Sequence, residues 1–157
     1  MSDTDHSGIP PMIRQGQLID EIASQIPLEV EGEWSELVYV RTAVSMNAQE
    51  EMIVYRPDGS VGSALPPLEM EDLSEELRRV MYQDGVGTWF TATWTLGREA
   101  SGEISVSSAF DYENEPDWDA PVTASTYVVE LEDLPRDEVN IPEWLRRKAI
   151  EAKRDVR

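Results

Sequence analysis

The chain contains no cysteine and a single histidine, His6. The absence of cysteine excludes disulfides, thiolate metal sites and cysteine nucleophiles. His6 lies in a short polar segment that ends at Pro10 and Pro11, where we expect no fixed geometry. A Ser-His-Asp arrangement and a histidine-containing zinc site are therefore both disfavoured, since each would need this residue.

Glycine-rich phosphate loops are also missing. The segment D-G-V-G at residues 84–87 lacks the Lys-Ser/Thr pair of such a loop and precedes a strand pattern, so it predicts a turn. Acid pairs suited to glycoside hydrolysis carry no information, because 32 acidic residues guarantee such pairs by chance. We therefore expect a protein that is not an enzyme and that uses no cofactor.

Long apolar runs are absent as well. No run approaches the roughly 20 residues needed to cross a bilayer. The first residues, M-S-D-T-D-H-S-G-I-P-P, lack the basic and apolar regions of a signal peptide. These features predict a cytoplasmic protein that does not enter a membrane.

Basic residues are scarce: 13 Lys and Arg face 32 Asp and Glu, for a net charge of −19. Residues 1–140 hold 29 acidic and 7 basic side chains (net −22), whereas residues 141–157 hold 3 and 6 (net +3). A field of this sign disfavours binding to nucleic acid or anionic membranes and speeds encounter with a basic protein. Solubility alone is the alternative explanation.

The hydrophobic pattern predicts one α+β domain at residues 11–157, preceded by a flexible arm at residues 1–10 and ending in a basic helix. Apolar spacing predicts helices at residues 12–26 and 68–82 and from residue 141 onward. Strand patterns cover residues 36–46, 50–56, 61–65, 88–96 and 103–112, the first two separated by Asn47-Ala48-Gln49. This order favours helices packed on an antiparallel sheet of about four to six strands.

The segment at residues 122–134 is ambiguous. Pro121, preceded by Asp119 as a possible cap, favours a helix whose apolar stripe includes Tyr127 and Leu131. The run T-Y-V-V at residues 126–129 also fits a strand.

The stretch D-Y-E-N-E-P-D-W-D places a carboxylate at every second position, in Asp111, Glu113, Glu115, Asp117 and Asp119. In an extended chain these five side chains would share one face. A calcium loop would need glycine at its sixth position and glutamate at its twelfth, but Pro116 and Val122 stand there, so we predict no metal site. A solvated loop remains the plain alternative.

A binding surface for a basic partner is the other interpretation of this row. Tyr112 and Trp118 alternate with its acids, and aromatics beside carboxylates suit an interface that attracts Lys and Arg. The residues predicted to bind the partner are Asp111, Tyr112, Glu113, Glu115, Asp117, Trp118, Asp119, Glu130, Glu132 and Asp133. Whether Trp118 is a partner anchor or packs against its own domain stays open.

Several motifs in the second half of the chain form a recognisable set. They are W-F-T-A-T-W-T-L from Trp89, then I-S-V-S-S-A-F-D-Y-E-N-E-P-D-W, L-E-D-L-P-R and I-P-E-W-L. In these motifs the chain resembles the actinobacterial branch of the YezG-like immunity protein family. The likeness covers roughly the last 75 residues, whereas the first 80 match only in layout.

This resemblance implies a small cytoplasmic α+β protein that binds and neutralises a cognate toxin made by the same cell. A nuclease is the favoured toxin, and an NAD-degrading enzyme is also possible. It implies no enzymatic activity and fixes no interface residue, so the interface rests on charge reasoning alone. An acidic interaction domain or secretion chaperone that inhibits nothing is the alternative.

Overall fold

A computed structural model describes residues 8–155. The helices are α1 (Pro11–Gln25), α2 (Glu69–Val80), α3 (Ala124–Asp133) and α4 (Glu143–Asp155), with a short 3-10 helix at Glu138–Asn140. The strands are β1 (Glu36–Val44), β2 (Asn47–Tyr55), β3 (Val61–Ser63), β4 (Thr91–Arg98) and β5 (Ile104–Asp111). Most of the predicted arm, residues 1–7 with His6, lies outside the described residues.

The five strands form one sheet in the order β3-β2-β1-β4-β5, and every neighbouring pair is antiparallel. The predicted α+β fold with an antiparallel sheet is thus confirmed. The β1–β2 turn lies at residues 45–46, earlier than the predicted Asn47-Ala48-Gln49, because Asn47 already pairs with Val44. Ser45 adopts φ 54° in this turn, a conformation that L-residues rarely adopt.

One face of the sheet packs against α1 and α2. Alternate residues of the central strands, including Leu37, Tyr39 and Trp94, are fully buried there together with Leu18 of α1 and Leu77 of α2. The indole N–H of Trp94 also donates to a carbonyl oxygen of α1, that of Ile19, at 3.2 Å. This layer is the main apolar core.

A second apolar cluster joins α3 and α4 to the end of the sheet. Val44, Phe90, Tyr127 and Leu145 form its buried centre. The ambiguous segment is therefore a helix, and it begins at Ala124 after Thr123 rather than at Pro121 after Asp119. None of the helices within residues 8–155 has the length and apolar character needed to cross a membrane.

The predicted turn at residues 84–87 is present and explains its two glycines. Gly85 and Gly87 adopt φ values of 78° and 94°, which favour glycine. A Cβ atom at Gly85 would overlap the carboxylate of Asp137, and one at Gly87 would overlap the guanidinium of Arg136. The turn thus lets the segment that follows α3 lie directly against it.

Candidate partner-binding surface

The acidic row forms a loop, so its five carboxylates do not share the single face that an extended chain would give them. Asp111 ends β5, and its carboxylate accepts hydrogen bonds from the backbone N–H groups of Glu113 and Asn114, at 2.9 and 3.0 Å, and from the Asn114 side chain at 2.8 Å. Burial acts to raise the pKa of Asp111, but these hydrogen bonds outweigh it and hold the pKa below its ordinary value. Asp111 thus serves as the cap of a turn that breaks the alternation.

The two aromatics of the row point into the domain. The Tyr112 hydroxyl donates to the carbonyl oxygen of Met81 at 3.3 Å, and its ring packs against the main core. The Trp118 indole donates to the Tyr127 hydroxyl at 2.9 Å, and its ring is half-buried in the second cluster. Both residues anchor the loop to its own chain.

Further hydrogen bonds hold the loop in place. The Gln49 side chain donates to the carbonyl oxygen of Asp117 at 2.7 Å and accepts from the N–H of Asp119 at 3.0 Å. The Trp144 indole donates to the carbonyl oxygen of Glu113 at 2.6 Å. These partners come from β2 and α4, so the loop is fixed from both sides.

With the aromatics turned inward, the remaining carboxylates of the row point outward. Glu113, Glu115, Asp117 and Asp119 are all exposed. Lys148 of α4 comes within 3.8 Å of Glu115, a partly exposed pair that screens little of this charge. The outcome is an ordered edge with four solvent-facing carboxylates.

One acid of β2 continues this edge. Glu51 is exposed and, with Asp117 and Asp119, lines a depression of about 210 Å³ that Thr42 and Thr91 also line. The side chain of its neighbour Glu50 points to the opposite face of the strand, where it accepts from the Tyr39 hydroxyl at 2.7 Å and from Arg41 at 3.1 Å. The sequence pattern missed Glu51, because it shows this acid only in the polar start of a strand and gives no pairing with the loop.

Glu130 must be removed from the predicted binding surface. Only 2% of this residue is exposed, and its two carboxylate oxygens accept from Arg78 at 2.9 and 2.6 Å. The backbone N–H of Ser45 donates to it at 2.7 Å, which holds the unusual β1–β2 turn. Glu130 is therefore a structural link between α3, α2 and the hairpin.

Glu132 and Asp133, which the sequence also assigns to the binding surface, are exposed. Asp133 lies beside Glu75 and Arg79 of α2, in a depression separate from the one lined by Asp117 and Asp119. Nothing in the contacts of the described residues joins these two acids to the loop. We therefore centre the candidate surface on the loop and β2.

The motifs that carry the family resemblance have structural roles. Arg136, from L-E-D-L-P-R, donates to the carbonyl oxygens of Thr88 and Asn140 at 2.9 and 3.1 Å and lies 4.6 Å over the Phe90 ring. Trp144, from I-P-E-W-L, meets the Phe90 ring edge-on at 5.2 Å. Arg136 and Trp144 therefore hold α4 and the segment after α3 against Phe90. These packing roles explain why the motifs contain them, and no role in an interface is needed.

Within residues 8–155, no group of three or more Asp, Glu or His side chains is placed to hold a metal ion. Comparison with protein-family models finds none that matches the chain, and comparison with curated proteins finds no matching relative. The resemblance to the YezG-like family therefore stays a hypothesis, and the functional argument rests on the surface itself.

Proposed function

We propose that this protein is an immunity protein that binds a cognate toxin in the cytoplasm and occludes the toxin's basic active site with its acidic edge. The observation that carries the proposal is the set of outward carboxylates of Glu113, Glu115, Asp117 and Asp119, fixed on both sides by Gln49 and Trp144. An ordered acidic edge loses less entropy on binding than a mobile one, because its backbone is already held.

The charge of the surface selects the class of partner. The net charge of −19 repels nucleic acid and anionic lipid and attracts a protein with a basic site. Nucleases need such a site to bind phosphates, so a nuclease toxin is the favoured partner. An enzyme that degrades NAD binds a phosphorylated substrate as well and remains the second choice. The carboxylates would stand in for substrate phosphates in either case.

The proposal makes the protein a stoichiometric inhibitor without catalysis or cofactor. Purified protein titrated into its toxin, encoded by a neighbouring gene, is expected to abolish toxin activity near one molar equivalent. Co-expression should restore growth, and the two proteins should co-purify.

Two outcomes of this titration would contradict the proposal. Loss of toxin activity at far below equimolar protein would show that the protein acts catalytically. A stable complex that leaves the toxin fully active would favour the alternative of an adaptor or secretion chaperone. The variant Asp20→Asn, Glu29→Gln, Glu31→Gln is the matched control for variants of the acidic edge. It removes three exposed acids from α1 and the loop that follows α1, away from that edge.

A further inference from the structure

Among residues 8–155, no strand or helix covers the outer edge of β5. It spans eight residues and has β4 as its one neighbour there, whereas the opposite edge, β3, spans only three residues. Residues 104–110 read I-S-V-S-S-A-F, without a charge or a proline. Natural edge strands are usually blunted by short length, charge, proline or a bulge, since bare edges pair with other chains. The β3 edge follows this rule and β5 does not.

The outward row of backbone groups on β5 can be identified. At the start of the β4–β5 hairpin the N–H of Glu99 donates to the carbonyl oxygen of Glu103 at 2.7 Å, so this opposed pair is a hydrogen-bonded one. Opposed pairs in an antiparallel ladder alternate between hydrogen-bonded and non-hydrogen-bonded. The residues whose N–H and C=O groups point away from β4 are therefore Ile104, Val106, Ser108 and Phe110.

An apolar ledge accompanies this row. Val106 lies opposite Leu96, a buried core residue, and so faces the helix side of the sheet. It is nevertheless 50% exposed, and Ile104 beside it is 43% exposed, because the helix layer ends before reaching β5. An added strand with apolar side chains at alternate positions would cover both residues and extend the core.

Charges at both ends of the strand restrict what can pair with it. Glu99 and Glu103 lie at its start, and Asp111 and Glu113 lie at its end. Arg98, the nearest cation along the chain, does not offset the first pair, since it turns toward Trp34 and lies 4.2 Å over that ring. Both ends of the edge are therefore acidic while its middle is neutral.

A second copy of the chain is a poor occupant. Antiparallel pairing of two β5 strands about Ser107 would set Glu103 of each copy opposite Asp111 of the other, and like charges opposed across strands are destabilising. Each copy also carries a net charge of −19. The strand therefore suits a different protein of opposite charge.

We propose that β5 accepts an extended strand from a partner protein, and that this strand has a neutral, alternately apolar middle and basic residues at both ends. The inference rests on the proposed function only for the identity of the protein that carries the strand. Backbone hydrogen bonds to the outward row supply the binding, and the acidic ends set its charge preference.

The test uses isotope-labelled protein and a synthetic peptide of alternating threonine and valine flanked by two lysines at each end. The amide resonances of residues 103–111 of the protein are expected to shift when the peptide is added at millimolar concentration. A matched peptide flanked by glutamates should bind at least about fivefold more weakly, because it meets the acidic ends with like charge. Equal binding of the two peptides, or shifts centred elsewhere, would overturn the proposal.

Two variants test the edge itself. Ser108→Pro removes an outward N–H and is expected to abolish the shifts, whereas Ser108→Thr retains that N–H and should bind as the wild type does. Should the proline unfold the protein, Val106→Lys decides instead, because it places on the edge a charge that repels the lysine-flanked peptide and is expected to block its binding. Unchanged binding by Val106→Lys, or sedimentation of the wild type as a dimer that Val106→Lys dissociates, would contradict the inference.

This test needs no toxin, so its failure differs from failure of the proposed function. Peptide binding without toxin neutralisation would leave the edge site standing and remove the immunity function. Toxin neutralisation that survives Val106→Lys would leave the immunity function standing and remove β5 from the interface.

Discussion

Replacing Glu130 by alanine is expected to lower the free energy of unfolding by about 3–5 kcal/mol, because it leaves the buried positive charge of Arg78 without its carboxylate partner. The same change removes the acceptor for the N–H of Ser45. Urea denaturation followed by circular dichroism measures the loss, and the melting temperature should fall by about 10 °C. Since α3 carries Tyr127, the partner of Trp118, the acidic loop should loosen as well.

Two controls separate this effect from a general loss of charge. Glu132→Ala changes an exposed acid on the same helix and should alter the unfolding free energy by less than about 0.5 kcal/mol. The double change Arg78→Met with Glu130→Leu removes both buried charges and should recover much of the stability. A loss below about 1 kcal/mol in Glu130→Ala would mean that α3 packs without the ion pair.

Trp118→Ala should destabilise the domain by about 2–3 kcal/mol, since a half-buried indole leaves the second cluster and the Tyr127 hydroxyl loses a donor. Denaturant unfolding of the isolated protein measures this effect. Trp118→Phe keeps a ring in the cluster and should cost about 1 kcal/mol, the size expected for the lost hydrogen bond.

If Trp118 is a partner anchor instead, Trp118→Ala should act on the toxin complex and not on folding. In that case Trp118→Ala would leave unfolding unchanged and would speed dissociation of the toxin complex instead. Because the indole has a partner inside the chain, we expect the loss to be one of fold stability.

The helices and strands could be predicted because their signals are local. The apolar spacing of Leu18 and Ile22 indicates α1, and the alternation around Trp94 indicates β4. The predicted position of the β1–β2 turn is wrong because the backbone N–H of Ser45 donates to the carboxylate of Glu130, which lies 85 residues away in sequence and leaves no local signal in the turn.

The candidate surface was predictable only in part. The excess of acids in residues 111–119 is visible in the sequence, but their direction depends on Asp111 capping a turn and on Gln49, whose contacts are distant in sequence. The burial of Glu130 did leave a signal, since it falls at helical spacing between Tyr127 and Leu134. A carboxylate within an apolar stripe needs a cation beside it when it is buried, and here that cation is Arg78.

The association rate between this protein and its toxin tests the central claim most directly. The variant Glu113→Gln, Glu115→Gln, Asp117→Asn should associate about tenfold more slowly at about 50 mM salt, and its rate should depend less on salt up to about 300 mM. The control variant Asp20→Asn, Glu29→Gln, Glu31→Gln carries the same change in net charge and should slow association far less. If the loop variant matches the wild type in both rate and salt dependence, the acidic edge is only a solvated loop and the toxin docks elsewhere.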